Sequence, residues 1–321
     1  MNWLLKVLAV LMFCFTATIA GAQNYPTKTI RIIVPFAAGG VGDITARVVA
    51  QRMTESMGQQ VLVENKPGAG GILASEAVAK ADPDGYTLLF MTNGNAVSVA
   101  LFKSLPYDTI RDFAPLSIAG FFDVLLVVNA DSPHKTVADM LTWARANPGK
   151  LTIGTINIGS TQNLAGELFR SLANVDAQII PFKSTSDVVA AMRRGDVHVS
   201  FEFLGGVKGQ LQAGVARALA VGSDKRFDGL PGVPTASESG LPGYVVNSWN
   251  GFAAPAKTPR PVIERLNREI NAALNAPDIK KRLQDLSVEA RPGTTEAMAD
   301  MLAADIAKWK SVIEKARIEK Q

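Results

Sequence analysis

The chain has 321 residues, 47% hydrophobic and 19% charged, which is enough apolar material for one large or two ordinary domains and excludes wholesale disorder. Its 33 basic and 29 acidic residues leave a net charge of only +4, spread along the chain, whereas a nucleic-acid binder would cluster its basic residues; no nucleic-acid partner is expected. One Cys and two His exclude a disulfide framework and leave too few ligands for a Cys/His metal site.

Residues 1–22 read as a signal peptide. Lys6 supplies a positive start, an apolar run follows from Val7 to Ala20, and Ala20-Gly21-Ala22 fits a small-x-small cleavage site that leaves Gln23 first. The run is shorter than the roughly 18 apolar residues of a membrane span. A retained signal anchor is the competing reading; a lipid anchor at Cys14 is disfavoured by bulky Phe13 before it. The expected product is exported from the cytoplasm. Nucleotide cofactors are scarce outside it, so neither cofactor nor metal is expected.

Thr29 to Pro35 is a β-branched strand stopped by Pro, and a Gly-rich turn, Ala37-Ala38-Gly39-Gly40-Val41-Gly42, leads into a helix near Asp43. Val61 to Glu64 and Tyr86 to Met91 read as further strands, with a helix over Ile72 to Ala81 between them. Val124 to Val128 is apolar enough to be a crossover. The alternation then restarts. Thr136 is placed to cap a helix, Leu151 to Gly154 is a strand, and Ser160 or Thr161 caps the helix bearing Leu164, Leu168 and Leu172. Strands follow at Gln178 to Pro181, Val197 to Phe201 and Ala216 to Val221, with helices at Ser186 to Arg194 and Leu204 to Ala213. Trp249 to Phe252 is placed as a second crossover, and three amphipathic helices close the chain. Strands alternating with helices predict parallel α/β architecture in two halves.

Two glycine-bearing turns, Pro35 to Asp43 and Gly154 to Thr161, each follow a strand and open a helix. Such a turn points several backbone N–H groups into one concavity, and the helix start adds partial positive charge. Neither carries a Walker ending or a dinucleotide fingerprint. One turn per half suggests a cleft in which two amide cradles face one small carboxylate. Thr155, Ser160 and Thr161 offer extra hydroxyl donors, with helix capping as the competing role for Ser160 and Thr161. Lys183 follows a strand end and can approach the cleft or lie on the surface; Glu202 can accept from a ligand hydroxyl or water, or join an ion pair. His134 reads as a solvated loop residue and His198 as facing solvent or a polar edge.

The chain resembles the periplasmic solute receptors of tripartite tricarboxylate transporters, the Bug-type receptors, over nearly all of its mature length. The resemblance is carried by Tyr25-Pro26, Val34-Pro35-Phe36 with Gly39-Gly40 and Asp43, Val63-Glu64-Asn65-Lys66-Pro67-Gly68-Ala69-Gly70-Gly71, Asp84-Gly85-Tyr86-Thr87, Arg111-Asp112-Phe113-Ala114-Pro115, Val233-Pro234-Thr235 and Trp249-Asn250-Gly251. It implies a two-domain, Venus-flytrap α/β fold of the periplasmic-binding-protein type with two crossovers. Domain 1 would hold 23–125 with 248–321, and domain 2 would hold 126–247. It also implies that the turns act as carboxylate pincers: Phe36, Ala37, Ala38, Gly39 and Gly40 with Asp43 behind them, and Thr155, Asn157, Gly159, Ser160 and Thr161 opposite. Thr92 and Lys183 line the cleft by the same likeness.

Ile156 and Ile158 stand where the family's second turn is usually small, Ser184 replaces a usual Gly, and Glu202 is one methylene longer than the usual Asp. A bulkier apolar wall suits an aromatic or longer-chain carboxylate. The expected function is therefore non-enzymatic: a monomeric receptor handing an organic carboxylate to the membrane subunits of a transporter. A receptor feeding a signalling sensor is the nearer alternative, and an exported hydrolase using Ser160 with His198 the remoter one, since no nucleophile elbow is present.

Overall fold

The structure, a computed structural model, describes residues 25–36, 38–39, 41–68, 71–156, 158–227, 229–315 and 318–321. The predicted signal peptide, Ala37, Gly40 and Asn157 lie outside them. Three parallel strands, β1 (Ile30–Val34), β2 (Val61–Asn65) and β3 (Thr87–Thr92), start the first half in the order β2-β1-β3. Helices α1 (Val41–Met57), α2 (Ile72–Ala79) and α3 (Asn93–Leu101) each begin just past a strand's C-terminal end. The second half repeats the plan. β5 (Leu151–Ile156) lies parallel to both β6 (Ala177–Phe182) and β7 (Val199–Phe203). There α5 (Thr161–Ala173), α6 (Thr185–Arg194) and α7 (Leu204–Gln212) start at the strand ends, while α4 (Val137–Ala146) precedes β5 and β8 (Ala216–Val221) follows α7.

One long strand joins the halves. β4 (Phe113–Asn129) pairs antiparallel with β9 (Asn247–Pro255) over Phe113 to Asp123, then with β7 and β8 from Val124 onward. The return path rejoins it at the same place, where the Gly222 amide donates to the Val124 carbonyl at 2.7 Å. The sequence reading found only the apolar end of this strand. Pro115 and Gly120 look like strand breakers, yet both flank register shifts against β9, where bulges absorb them. The reading also passed over α3, whose Asn-Gly-Asn start looks like a turn; the Thr92 amide donates to Asn95 Oδ1 at 2.9 Å and sets the helix start.

The tail docks on the first half. α8 (Arg260–Asn275) buries Leu266, Ile270 and Leu274 against α1 and β4, and each fully buried side chain of this kind contributes about 1.5–3 kcal/mol. α9 (Pro277–Asp285) leads to the short β10 (Glu289–Ala290), and α10 (Thr295–Lys315) packs Met298, Leu302, Ile306 and Trp309 on α3 and β4. In the second half the predicted Thr136 cap is in place, accepting from the Asp139 amide at 3.0 Å. His134 is not a solvated loop residue. It is 6% exposed and stacks on Trp143, whose other neighbour is His198, with ring centroids 5.2 and 5.1 Å apart. A loop position says little about burial when an indole from the next helix covers it.

Candidate ligand-binding site

The first turn is organised from below by an acid. Asp43, two residues into α1, is 2% exposed. Its carboxylate accepts from the Gly39 amide at 2.9 Å, Arg47 Nε at 3.0 Å and Asn65 Nδ2 at 2.7 Å. Burial pushes its pKa up, but Arg47, Gly39 and Asn65 outweigh burial and hold it below the usual carboxylate range. The Asn65 amide also donates to the Phe36 carbonyl at 2.9 Å, which ties the strand end to the turn. Ala38 and Gly39 are exposed, and Gly39 takes a φ of 89°. Phe36 is 38% exposed, and its ring lies so close to Gly42 that a side chain there would meet it at 2.6 Å.

The second turn is organised by neutral groups. Asn163 Oδ1 accepts from the Gly159 amide at 3.2 Å, and its Nδ2 donates to Thr155 Oγ1 at 3.2 Å. Ser160 caps α5: its Oγ accepts from the Asn163 amide at 3.1 Å and donates to the Ile156 carbonyl at 2.8 Å. Thr155 is fully buried. The hydroxyls of Thr155 and Ser160 are thus engaged in holding the turn, so what the turn presents outward is main chain: first-turn amides of α5 that the cap does not use. Ile158 stands 59% exposed in the same turn.

The halves touch at the start of α5. Thr161 Oγ1 lies 3.2 Å from Asn93 Oδ1, at the start of α3, and 3.2 Å from Ser248 Oγ on β9. Asp305 on α10 fixes which way Asn93 points, because its Oδ2 accepts from Asn93 Nδ2 at 2.7 Å and from Trp249 Nε1 at 2.5 Å. With its amide nitrogen so held, Asn93 turns its oxygen to Thr161, whose hydroxyl is in donor geometry to it. The same hydroxyl is also in donor geometry to Ser248 Oγ, so one proton serves two acceptors. A side chain added at Gly159 would meet Leu101 at 2.6 Å, and one at Gly205 would meet the Leu286 carbonyl at 2.9 Å.

The remaining predicted residues are placed as follows. Thr92 is 6% exposed at the end of β3, beside Asn250 on β9. Lys183 is exposed in the β6–α6 turn. Glu202, near the end of β7, is 1% exposed. Burial raises its pKa to about 7 against the hydrogen bond from Thr185 Oγ1 at 2.8 Å and a weaker pull from the Gln162 amide. Ser160 and His198 do not hydrogen-bond each other; His198 Nδ1 sits 2.7 Å from Thr152 Oγ1 instead. No group of three potential His, Cys, Asp or Glu metal ligands occurs among the described residues, and no described helix is long and apolar enough to cross a membrane. A groove of about 670 Å³ lined by Tyr107, Asp108, Arg111 and Lys310 shares no residue with the predicted set.

Sequence reasoning missed Asn93, Asn163, Thr185, Ser248 and Asp305. Asn163 had a signal, an amide three residues after the capping Ser160. Asp305 and Ser248 had none, since their partners lie far away in the chain.

Two α/β lobes joined through antiparallel crossovers are the architecture of the periplasmic-binding-protein class. The family model of the tripartite tricarboxylate transporter family receptors, TctC, matches residues 45–318, and the chain belongs to that family. It is 38% identical over 317 residues to a UPF0065 protein of the tcbD-tcbE intergenic region from Pseudomonas sp. strain P51, covering 98% of this chain and 94% of the other. It is 33% identical to BugT of Bordetella pertussis, with 96% of each covered. Among solved structures it is similar to Rpa4515 of R. palustris with adipate (TM-score 0.84, 33% identity, 92% and 99% covered). MatC from Rhodopseudomonas palustris with bound malate is also similar (TM-score 0.80, 32% identity, 90% and 100% covered).

Proposed function

We propose that this receptor works in the periplasm as a monomer, captures a small organic carboxylate with an apolar body, and delivers it to the membrane subunits of a tripartite tricarboxylate transporter. The reading is supported by two helix-start turns, one per half, each with an exposed apolar residue, Phe36 and Ile158, and by the contact of the α5 start with Asn93 and Ser248. Hydrogen bonds to a charged group contribute about 1.5–3 kcal/mol each, so four or five shared between lobes reach micromolar affinity after association costs. The adipate and malate of the similar receptors fit that class.

In this reading residues 23–125 with 248–321 form one closing unit and 126–247 the other. Ala37, Ala38, Gly39, Gly40, Asn157, Gly159, Ser160 and Thr161 make the cradles, Thr92 and Lys183 line the gap, and Asp43 and Thr155 hold the cradles in shape. Contacts made by both lobes at once supply the energy difference between open and closed states. Isothermal titration against aliphatic and aromatic mono- and dicarboxylates tests it. Wild type should bind at least one, and Ser160→Ala with Thr161→Val should weaken that binding at least about tenfold by loosening the second turn and its bridge. Equal affinity in the double variant would remove the site assignment. Loss of uptake on deletion separates transport from a sensor role.

A further inference from the structure

Among the described residues, Glu202 is the one acid at the second lobe's strand ends that is buried without a charged partner. Oε2 accepts from Thr185 at the start of α6; Oε1 is buried and has no hydrogen-bond partner among the described residues. Gln162, at the start of α5, approaches without reaching hydrogen-bond geometry. α7 begins two residues on at Leu204, and Gly205 next to it touches the first lobe. Glu202 therefore sits beside the starts of α5 and α6, two residues before the start of α7.

The charged groups on the elements around it are engaged elsewhere or exposed. On α6, Asp187 accepts from Ser184 and Arg194 pairs with Asp196; on α5, Glu167 pairs with Arg170. Lys208 on α7 donates to the Asp285 carbonyl, Asp123 on β4 is drawn to Ser223 and Arg291, and Lys183 and Arg193 are exposed. His198, earlier on the same strand, is bound to Thr152. None enters the causes of the Glu202 shift, which are burial, Thr185 and Gln162.

The starts of α5 and α6 favour one negative charge, and the proposed ligand brings one. Two carboxylates sharing such a site cannot both stay ionised cheaply, and the group already disfavoured by burial is the one to take a proton. We propose that Glu202 meets an acceptor oxygen of the bound carboxylate as a neutral carboxylic acid, so that capture of the anion takes up a proton from solvent and selects ligands with an acceptor at that end. The inference rests on the carboxylate reading. Since the free side chain already titrates near about 7, small changes of pH near neutrality alter capture.

Calorimetry with adipate, malate and aromatic carboxylates across about pH 6–9, in two buffers of unequal ionisation enthalpy, counts the protons. Wild type should take up about one proton per ligand near pH 8 and lose up to about tenfold in affinity per pH unit above the free midpoint. Glu202→Gln should abolish the uptake and flatten the pH profile, which a merely structural role would not do. Infrared difference spectra of wild type against Glu202→Gln should show a protonated-carboxyl band at pH 6 that grows at pH 8 when ligand is added. Binding without uptake, or with proton release to a ligand hydroxyl, overturns this inference and leaves the carboxylate reading standing. Failure of every carboxylate to bind overturns both.

Discussion

The two helix-start turns are built to the same plan from opposite materials. In the first lobe a buried carboxylate, Asp43, gathers the Gly39 amide, Arg47 and Asn65 beneath the turn. In the second lobe an amide, Asn163, and a hydroxyl, Ser160, do the same work without charge. An ionised scaffold is stronger per bond but fails when its charge is removed; a neutral one is weaker but indifferent to pH. The contrast also places the cleft's charges. The first lobe neutralises its acid with Arg47, while the second lobe has a neutral scaffold beside the unpaired acid Glu202.

The largest expected difference between the turns is in stability. Asp43→Ala removes the charged acceptor of Arg47, Asn65 and the Gly39 amide and should cost about 2–3 kcal/mol, whereas Asn163→Ala should cost about 1–2 kcal/mol. Denaturant unfolding of the two variants measures this. Equal losses would mean that the charge adds nothing to the first scaffold.

Next in size is the effect of a methyl group on each glycine. Gly39 and Gly159 take φ of 89° and 81°, which costs a non-glycine residue about 1–2 kcal/mol. An added Cβ at Gly39 meets nothing within 4 Å, but at Gly159 it meets Leu101 of the other lobe at 2.6 Å. Gly39→Ala should therefore strain its turn alone, while Gly159→Ala should also prop the lobes apart. Small-angle scattering of the two should show expansion only for Gly159→Ala, and Leu101→Ala in the same chain should reverse it. Expansion in both variants would show that the contact does not set closure.

A smaller effect is expected at the bridge. Thr161→Val and Asn93→Ala should each weaken closure, and together they should be less than additive by about 0.5–1.5 kcal/mol, because both remove one hydrogen bond. Full additivity in ligand affinity would deny the Thr161–Asn93 contact a role.

The strand–turn–helix units were legible because each is local: a β-branched run, a glycine at positive φ and a capping residue lie within about a dozen residues of one another. The family resemblance, which the family model bears out, added the two-lobed arrangement. What the sequence hid was non-local or self-compensating. Pro115 and Gly120 look like breaks until bulges against β9 absorb them. Asp305 is an unremarkable helix acid until α10 docks it beside Asn93 and Trp249. Ser160 was open to both capping and ligand contact; the described geometry uses its hydroxyl for the cap.

The smallest expected effect is a difference in how the lobes respond to acid. His134 and His198 in the second lobe both have lowered pKa values, by burial first and, for His198, by the neighbouring His134. The unfolded chain therefore binds more protons there, so their contribution is complete above about pH 6.5 and is lost as pH falls through the folded values. Asp43 has a lowered pKa too, but its contribution persists until pH falls below about 3.9, so the first lobe holds where the second loosens. Glu202 opposes the histidines. Raised to about 7, it binds a proton more readily when folded, so acidification through that range relieves its burial. Glu202→Gln removes the relief and leaves the histidine loss exposed. Hydrogen exchange, corrected for intrinsic rates, should show β5 and β7 losing more protection between about pH 8 and pH 5 in Glu202→Gln than in wild type, with β1 and β3 alike in both proteins. Equal losses of protection in β5 and β7 over that pH interval in both proteins would mean that Glu202 does not offset the histidines in the second lobe's response to acid.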